Sequence, residues 1–383
     1  MERCESRVIE PRNNDQRWSL RSPDRGGQNR SSLNHYLDMD WMKEAYRRTR
    51  RESAAGVDGK SMEQYWKELE SNLRDLIGRA KSGRYHAPPV RRVPIPKGDG
   101  KETRPIGIPT TEDKVLQRAI TMLLEPIYEQ EFKEFSFGFR PGRSAHDGLE
   151  YLWKQCMDNQ VRWIVDVDIR SYFDTLDHAK LREIVSQRVQ DGVVRRLIDK
   201  WLKAGVMEAG ELSYREKGTP QGGVVSPILS NIYLHEVLDK WFAHEVKACL
   251  KGRAFLVGYA DDFVMGFKCE QDAQRVCAVL PKRFGKYGLN LHPTKTRLIA
   301  FGRPCSEQEG GKRILPITAS PATRSRWNAS EIQSNGWHKW LNRRSGQSAG
   351  MTWARFKELL TRYSPIPPAR VVHRNPSLKN RMP

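Results

Sequence analysis

Two adjacent carboxylates in a short acidic turn are the residues of this sequence best suited to chemistry. The turn, Tyr259-Ala260-Asp261-Asp262, lies between the apolar runs Ala254–Val257 and Phe263–Phe267. Apolar runs on both sides of a polar pair predict a tight β-hairpin that presents the carboxylates at its tip. Taken alone, such a turn is also explained as a plain polar loop, because Asp is favoured in turns for purely local reasons.

A second stretch of the sequence, Val161–Asp168, ends in acid as well. Alternation places its valines on one face of a strand and Asp166 and Asp168 on the other. If this strand pairs beside the hairpin, Asp168 approaches Asp261, and crowded carboxylates repel one another unless hard cations neutralise them. Such a cluster suits two-metal phosphoryl transfer, in which ions roughly 3.5–4 Å apart stabilise the attacking and leaving oxygens.

Two more motifs accompany the acidic turn. Asp168-Ile-Arg-Ser-Tyr-Phe-Asp174 follows the acidic strand, and Gly218-Thr-Pro-Gln-Gly-Gly-Val-Val-Ser-Pro227 comes next. In sequence, order and spacing the three motifs resemble the reverse transcriptase/maturase proteins that group II introns of the bacterial type encode. The resemblance is nearly continuous from Gly59 to Phe301. It implies an α+β fold: a right-hand polymerase with an antiparallel palm sheet backed by helices, a fingers subdomain and a truncated helical thumb.

The resemblance also implies an activity, that of an RNA-directed DNA polymerase with associated roles in intron RNA splicing (maturase) and retromobility. Two Mg²⁺ ions would serve as cofactors, with Mn²⁺ as a possible substitute. The implied catalytic residues and metal ligands are Asp168, Asp261 and Asp262. Contacts to the incoming nucleotide are implied for Lys97, Arg104, Phe173, Gln221 and Lys295. Contacts to nucleic acid are implied for Arg140, Arg143, Arg343 and Arg344.

Ordinary structural roles remain open for several of these residues. Phe173 follows Asp168 by five residues, where the family places the steric gate that excludes a 2′-hydroxyl, yet a phenylalanine is equally suited to the core. Arg140 and Arg143 could stabilise their own loop, and Lys295 could be a surface lysine. In the same way, Lys97 and Arg104 could be plain solvent-facing charges.

The elements that position these residues follow from periodicity and turn signals. Two Pro-bounded strands around a glycine-containing turn, Tyr85–Lys97 and Arg104–Pro109, predict a hairpin in the fingers. Amphipathic patterns predict helices, among them those over 113–132, 179–203 and 276–287. Asp174 and Asp177 are the predicted caps of the second helix. The glycines that start at Gly218 predict a turn whose backbone approaches a ligand closely.

The charge balance indicates an anionic partner. The 383 residues include 66 Lys or Arg against 46 Asp or Glu, a net charge of +20. Residues 302–383 alone hold fifteen basic and four acidic residues, which gives +11. Such a surplus supplies salt-sensitive phosphate binding. The partners implied by the resemblance are group II intron RNA, an RNA template with a DNA primer, and deoxynucleoside triphosphates, while the oligomeric state is left open.

The cysteines and the hydropathy pattern favour a cytoplasmic protein without a membrane span. The six cysteines form no Cys-x-x-Cys pair and no zinc-like spacing with histidine, which is typical of reduced thiols. No run of about eighteen apolar residues occurs, and the first residues contain no apolar core. For a protein of this bacterial type we expect the cytoplasm.

The resemblance divides the chain into four parts. They are a basic, partly disordered N-terminal extension (1–45), the reverse transcriptase fingers and palm (46–302), an irregular linker (303–336) and a basic remnant of the maturase/thumb C-terminus (337–383). Full family members carry a helical thumb where the linker stands, so the sequence predicts an internal deletion. The deletion keeps a rival interpretation open: a non-catalytic RNA-binding splicing cofactor, or a degenerate remnant without useful polymerase activity.

Overall fold

The computed structural model describes residues 32–96, 103–208, 210–214, 217–219 and 222–300. The predicted linker (303–336) and basic remnant (337–383) lie outside these ranges. So do four residues singled out from the sequence: Lys97, Gln221, Arg343 and Arg344.

Helices are the most common elements of the described chain. They are α1 (Met39–Arg48), α2 (Met62–Trp66), α3 (Leu69–Ser82), α4 (Thr111–Tyr128), α5 (Ala145–Asp158), α6 (Tyr172–Thr175), α7 (His178–Ser186), α8 (Gly192–Leu202), α9 (Ser226–Leu234) and α10 (Glu270–Lys286). After α9 the chain continues through two π-helical segments, His235–Asp239 and Phe242–Val246. No helix within the described ranges has the length and apolar character to cross a membrane.

The strands form two sheets. The first has the order β2-β1-β4-β5, and its strands are β1 (Val90–Pro96), β2 (Thr103–Ile108), β4 (Val206–Glu208) and β5 (Glu211–Ser213). The second has the order β6-β7-β3-β8, and its strands are β3 (Trp163–Asp168), β6 (Ala254–Tyr259), β7 (Asp262–Phe267) and β8 (Arg297–Ala300). In the described ranges these strands pair antiparallel except for β1 with β4. The architecture is therefore α+β, as predicted, while the truncated helical thumb stays a prediction.

Alternation along β3 gives the second sheet two different faces. Val167 is buried with its register partner Phe263 of β7. Helix α10 packs on this face, where the rings of Phe263 and Phe284 stack with centroids 5.6 Å apart. The opposite face carries Asp166 and Asp168, which are partly exposed. This division into a core face and an acidic face is the one that the sequence predicts.

The single helix predicted over 179–203 is wrong, because the structure has two helices there, α7 and α8. Asp191 breaks the pattern. Its Oδ1 accepts two backbone N–H groups from the first turn of α8, at 2.8 and 3.0 Å, and so starts a new helix. Asp177 caps α7 as predicted, whereas Asp174 lies within α6.

Two other predicted helices are confirmed with shifted ends. The helix predicted over 113–132 is α4, and the Thr110 hydroxyl caps it by accepting the N–H of Asp113. The helix predicted over 276–287 is α10, which begins earlier, at Glu270.

The folded part of the chain begins before the sequence boundary at residue 45. Leu33, Leu37 and Trp41 are buried in the main core. The second carboxylate oxygen of Asp191 accepts the backbone N–H of Leu33 at 2.7 Å. Asp191 therefore both starts α8 and fixes the N-terminal segment against it.

Candidate active site

The acidic turn forms the tip of a β-hairpin with a two-residue loop, as the sequence predicts. β6 and β7 pair up to Tyr259 and Asp262, and Ala260 and Asp261 form the loop. Ala260 has a φ of 56°, in the left-handed region that tight hairpin loops use. The loop therefore places Asp261 and Asp262 next to each other at the end of the sheet.

Asp262 lies directly opposite Asp168 of the neighbouring strand β3. Residues that face each other across antiparallel strands have Cβ atoms about 4.5–5.5 Å apart and share one face. Further along this face, Val257 and Val264 form an apolar cluster with Leu152 of α5. The side chain of Asp168 stays 23% exposed. Two carboxylates thus share the open end of a sheet, next to an apolar cluster on the same face.

A loop that precedes β8 brings a cation to this carboxylate pair. The backbone N–H of His292 donates to the carbonyl oxygen of Asp168 at 2.7 Å, and Ile169 forms a bridge with Leu291. These bonds hold the loop at the end of β3. They place the Nζ of Lys295 3.3 Å from Oδ2 of Asp168, with the Lys295 side chain 45% exposed.

The carboxylate pair suits Mg²⁺, although the described residues contain no group of three or more His, Cys, Asp or Glu placed to hold a metal ion. Mg²⁺ prefers oxygen ligands and usually binds through one or two carboxylates together with substrate phosphates and waters. Asp168 and Asp262 supply that number of carboxylates from two strands, and Asp261 is adjacent in the loop. The donor set therefore fits an ion that a bound nucleotide helps to hold.

Comparison with known proteins identifies the family to which these features belong. The model of the reverse transcriptase (RNA-dependent DNA polymerase) family matches residues 95–335. This chain belongs to the reverse transcriptase family. Its two antiparallel-rich sheets are consistent with the fingers and palm of such an enzyme.

Relatives of this chain include proteins encoded by introns. The chain is 36% identical over 293 residues to protein YkfC of Escherichia coli, which covers 67% of this chain and 76% of YkfC. It is 43% identical over 172 residues to the group II intron-encoded protein LtrA of Lactococcus lactis, which covers 45% of this chain but only 28% of LtrA. An uncharacterized 91 kDa protein in the cob intron of Schizosaccharomyces pombe is 39% identical over 165 residues, 42% of this chain and 20% of that protein. The resemblance to group II intron-encoded reverse transcriptases is thereby confirmed.

Phe173 lies beside the glycine-containing turn of the reverse transcriptase. Its carbonyl oxygen accepts the N–H of Thr219 at 2.7 Å. Its ring is half-buried and meets the ring of Tyr172 edge-on at 5.4 Å. This position at the edge of the core is compatible with both roles left open by the sequence, the steric gate and ordinary packing.

The close approach at Gly218 is to the protein's own backbone. Gly218 has a φ of +87°, and a Cβ added there would lie 2.7 Å from the carbonyl oxygen of Phe173. Packing of the turn against α6 is the reason for this glycine seen in the structure. The close approach of this turn to a ligand, which the sequence predicts, stays a prediction. Gln221, the residue of this turn implied to contact the nucleotide, lies outside the described residues.

The predicted fingers hairpin is confirmed as β1 and β2. Arg104 is exposed on β2, opposite Ile95. On the same strand Gly107 contacts the glycine-containing turn, since a Cβ on Gly222 would lie 2.5 Å from the Gly107 carbonyl oxygen. The hairpin therefore reaches the turn, while a contact of Arg104 or Lys97 with a triphosphate stays a prediction.

The side chain of Arg140 makes its contacts within its own loop. Its side chain is only 4% exposed and forms an ion pair with Glu129 at 2.8 Å. Its Nη1 also donates to the carbonyl oxygens of Lys133 and Ser136, at 2.7 Å each. This arrangement favours the loop-stabilising alternative over template contact. Arg143 is partly exposed and lies over the Phe137 ring, so its contact with nucleic acid stays a prediction.

A buried carboxylate, Asp113, is a further residue connected to the site, and sequence reasoning did not identify it. It accepts hydrogen bonds from the Tyr85 hydroxyl, from Trp201 Nε1 at 2.6 Å and from Gln117 Nε2 at 3.0 Å. Gln117 in turn accepts the backbone N–H of Val225, just after the glycine-containing turn. Burial raises the pKa of Asp113 to about 6, against the opposing effect of its three donors. An acidic residue in the first turn of a helix is expected for capping alone, so the sequence carries no distinct signal for this network.

Proposed function

We propose that this reverse transcriptase is the RNA-directed DNA polymerase of a group II intron and that it acts by two-metal nucleotidyl transfer. The observation that carries the proposal is the pairing of Asp168 with Asp262 at the open end of the second sheet, with Asp261 in the adjoining loop. Two carboxylates on rigid strands provide a fixed site for hard cations, which phosphoryl transfer requires.

Each residue of the site has a distinct part in this proposal. Asp168, Asp261 and Asp262 would hold Mg²⁺, which would supply charge stabilisation for the attacking and leaving oxygens. Lys295 pairs with Asp168 and contacts the phosphates of the incoming nucleotide in the working enzyme. Phe173 lies against the sugar.

The fingers and the glycine-containing turn complete the nucleotide site in this proposal. Arg104 binds the triphosphate by its planar fork and Lys97 as a point charge. Gln221 lies along the nucleotide. The RNA template and the DNA primer are the polymeric substrates.

A role in splicing and retromobility of the intron is proposed alongside polymerisation. It is supported by the likeness to LtrA, a group II intron-encoded protein, and by the net charge of +20, which suits a large RNA partner. The chain spans 28% of LtrA, so the wider activities of a complete intron-encoded protein are part of the proposal.

Primer extension on poly(rA)/oligo(dT) with Mg²⁺ tests the polymerase. We expect the parent chain to incorporate deoxynucleotides and Asp261→Asn to lose incorporation, because metal binding needs the carboxylate charge. RNA affinity should stay nearly unchanged, since many basic residues share it. Asp75→Asn, which removes a surface carboxylate paired with Arg79, is the matched control and should extend primers normally.

The same assay separates the rival function. A parent chain that binds RNA but never extends a primer would support the non-catalytic splicing cofactor. The predicted internal deletion of the thumb is what favours that rival. Equal extension by the parent and Asp261→Asn would remove the assigned catalytic site.

A further inference from the structure

Phe139 combines an exposed aromatic ring with a left-handed backbone. Its side chain is 51% exposed and its φ is 55°. For a bulky residue this conformation is a genuine outlier, and such strain persists only where the surrounding structure fixes it. Residues of this kind cluster at functional sites. The position of Phe139 therefore calls for a reason beyond folding.

Both neighbours of Phe139 are held rigidly. Gly138 touches the acidic hairpin, since a Cβ added to it would lie 2.0 Å from the backbone nitrogen of Ala260. The Gly138 carbonyl oxygen also accepts a hydrogen bond from the Asn231 side chain at 2.7 Å. On the other side, Arg140 is buried in its ion pair with Glu129. Phe139 is thus presented from a fixed support one residue away from the contact with the hairpin tip.

The sheet order shows on which side of the carboxylates this ring lies. Ser136 forms a parallel bridge with Gly258, and the Phe137 N–H donates to the Gly258 carbonyl oxygen at 2.9 Å. The segment before Phe139 therefore extends the second sheet beyond β6. Lys295 is at the other side of the carboxylates, next to β3.

We propose that Phe139 is a stacking contact for the primer–template duplex at its growing end. The inference rests on the proposed polymerase function, which places the incoming nucleotide on the side of Lys295 and leaves the β6 side to the duplex. An aromatic ring suits this position because it stacks on any base and so tolerates every sequence. The contact also explains why the strained backbone is kept, because this backbone holds the ring in one position next to the acidic hairpin.

Substitutions that keep the backbone conformation test this contact. Asn adopts the left-handed region far more readily than bulky residues, so Phe139→Asn removes the ring without adding strain. We expect it to raise the dissociation constant for an RNA/DNA primer–template about tenfold, the scale of one lost stacking contact. Phe139→Tyr keeps the ring and should stay within about twofold of the parent. The thermal midpoint of Phe139→Asn should not fall below that of the parent.

A control and a crosslink locate the effect. Trp66→Gln removes another exposed aromatic, 58% exposed at the end of α2, and should leave duplex affinity unchanged. Iodouracil placed at the primer 3′ end should photocrosslink to the peptide that contains Phe139, because halogenated bases react with the aromatic ring on which they stack.

The outcomes distinguish this contact from the proposed function. Unchanged duplex affinity in Phe139→Asn, next to a parent that extends primers, would overturn the contact and leave the polymerase standing. Weaker binding by Phe139→Asn with no extension by the parent would support the contact and remove the polymerase. A parent that does not bind the duplex at all would overturn both.

Discussion

Asp168 and Asp262 face each other in the last register pair of β3 and β7, so two carboxylates lie side by side at the open end of a sheet. Like charges directly opposite each other on neighbouring strands destabilise the pairing by up to about 1 kcal/mol. Lys295, with its Nζ 3.3 Å from Asp168, offsets part of this cost. A metal ion bound as proposed would offset more of it.

Asp262→Asn should separate metal binding from stability. In metal-free buffer we expect the free energy of unfolding to equal that of the parent or to exceed it by up to about 1 kcal/mol, because the repulsion is relieved. Added Mg²⁺ should stabilise the parent but not the variant, since a ligand stabilises only the state that binds it. Urea unfolding with and without Mg²⁺ measures both effects. Asp75→Asn should behave as the parent does, and equal stabilisation of Asp262→Asn by Mg²⁺ would contradict the metal site.

Phe173→Ala should relax sugar discrimination if the ring is the steric gate. The ratio of kcat/KM for deoxynucleotides over ribonucleotides should fall by about tenfold or more, because the clash with the 2′-hydroxyl is gone. Phe173→Tyr preserves the bulk and should preserve the ratio. Steady-state incorporation of both nucleotide types measures it. A lower unfolding temperature with an unchanged ratio would return Phe173 to the core, where its ring meets Tyr172.

Lys295→Met should strengthen the binding of Mg²⁺ and weaken the binding of the nucleotide. The variant loses the cation that pairs with Asp168, so the Mg²⁺ concentration at half-maximal activity should fall. At saturating Mg²⁺ the KM for the nucleotide should rise, because a phosphate contact is lost. Lys295→Arg keeps the charge and should lie between the variant and the parent. If Lys295 is a plain surface lysine, neither quantity will change.

The site was predictable where local patterns determine it. Alternation placed Asp168 on the open face of β3, and the two apolar runs placed Asp261 and Asp262 at a hairpin tip; neither inference needs tertiary information. The choice between the two roles left open for Arg140 was not predictable, because its partner Glu129 lies eleven residues away, and only the folded loop turns the guanidinium inward. The same limit applies to Gly218, whose close neighbour is another part of the backbone.

The sequence did not predict the boundary between α7 and α8 or the buried carboxylate of Asp113, for a related reason. The apolar pattern of α7 continues into α8 without a phase break, so periodicity alone predicts one helix. The break depends on Asp191, whose carboxylate also binds the N-terminal segment. The role of Asp113 likewise depends on contacts with distant parts of the chain. Its position in the first turn suggests a cap, and only tertiary packing brings Tyr85 and Trp201 to it.

Ionisation of Asp113 should make folding less favourable as pH rises. The pKa is 3.8 for an ordinary aspartate and about 6 for buried Asp113. Between these values the folded state holds the proton more tightly than the unfolded state, so the free energy of unfolding falls with rising pH across this window and is level above it. The difference in unfolding free energy, parent minus Asp113→Asn, should therefore decrease from pH 4 to about pH 6.

Using a difference removes the contributions of other carboxylates, such as Asp191 and Asp272. Burial raises the pKa values of these two groups, but their hydrogen bonds together outweigh it and lower the pKa values overall. Urea unfolding of both chains at a series of pH values gives the comparison. A difference that increases with pH would show that the three donors to Asp113 outweigh its burial and hold the carboxylate as an anion.

Binding of primer–template should depend steeply on salt and on the basic C-terminal segment. Residues 302–383 carry a net +11, and the predicted internal deletion leaves no thumb to hold the duplex by other contacts. If this segment releases about five counterions or more, affinity should fall at least about a hundredfold between 50 and 200 mM salt, and extension should stop after a few nucleotides.

Deleting residues 337–383 should weaken RNA binding and flatten the salt dependence. Single-nucleotide insertion at saturating primer–template should survive, because the carboxylates are untouched. Fluorescence anisotropy across a salt series and product lengths on gels measure these effects. Long products at 200 mM salt from the parent chain would show that residues 302–383 do the work of a thumb and that the predicted deletion is wrong.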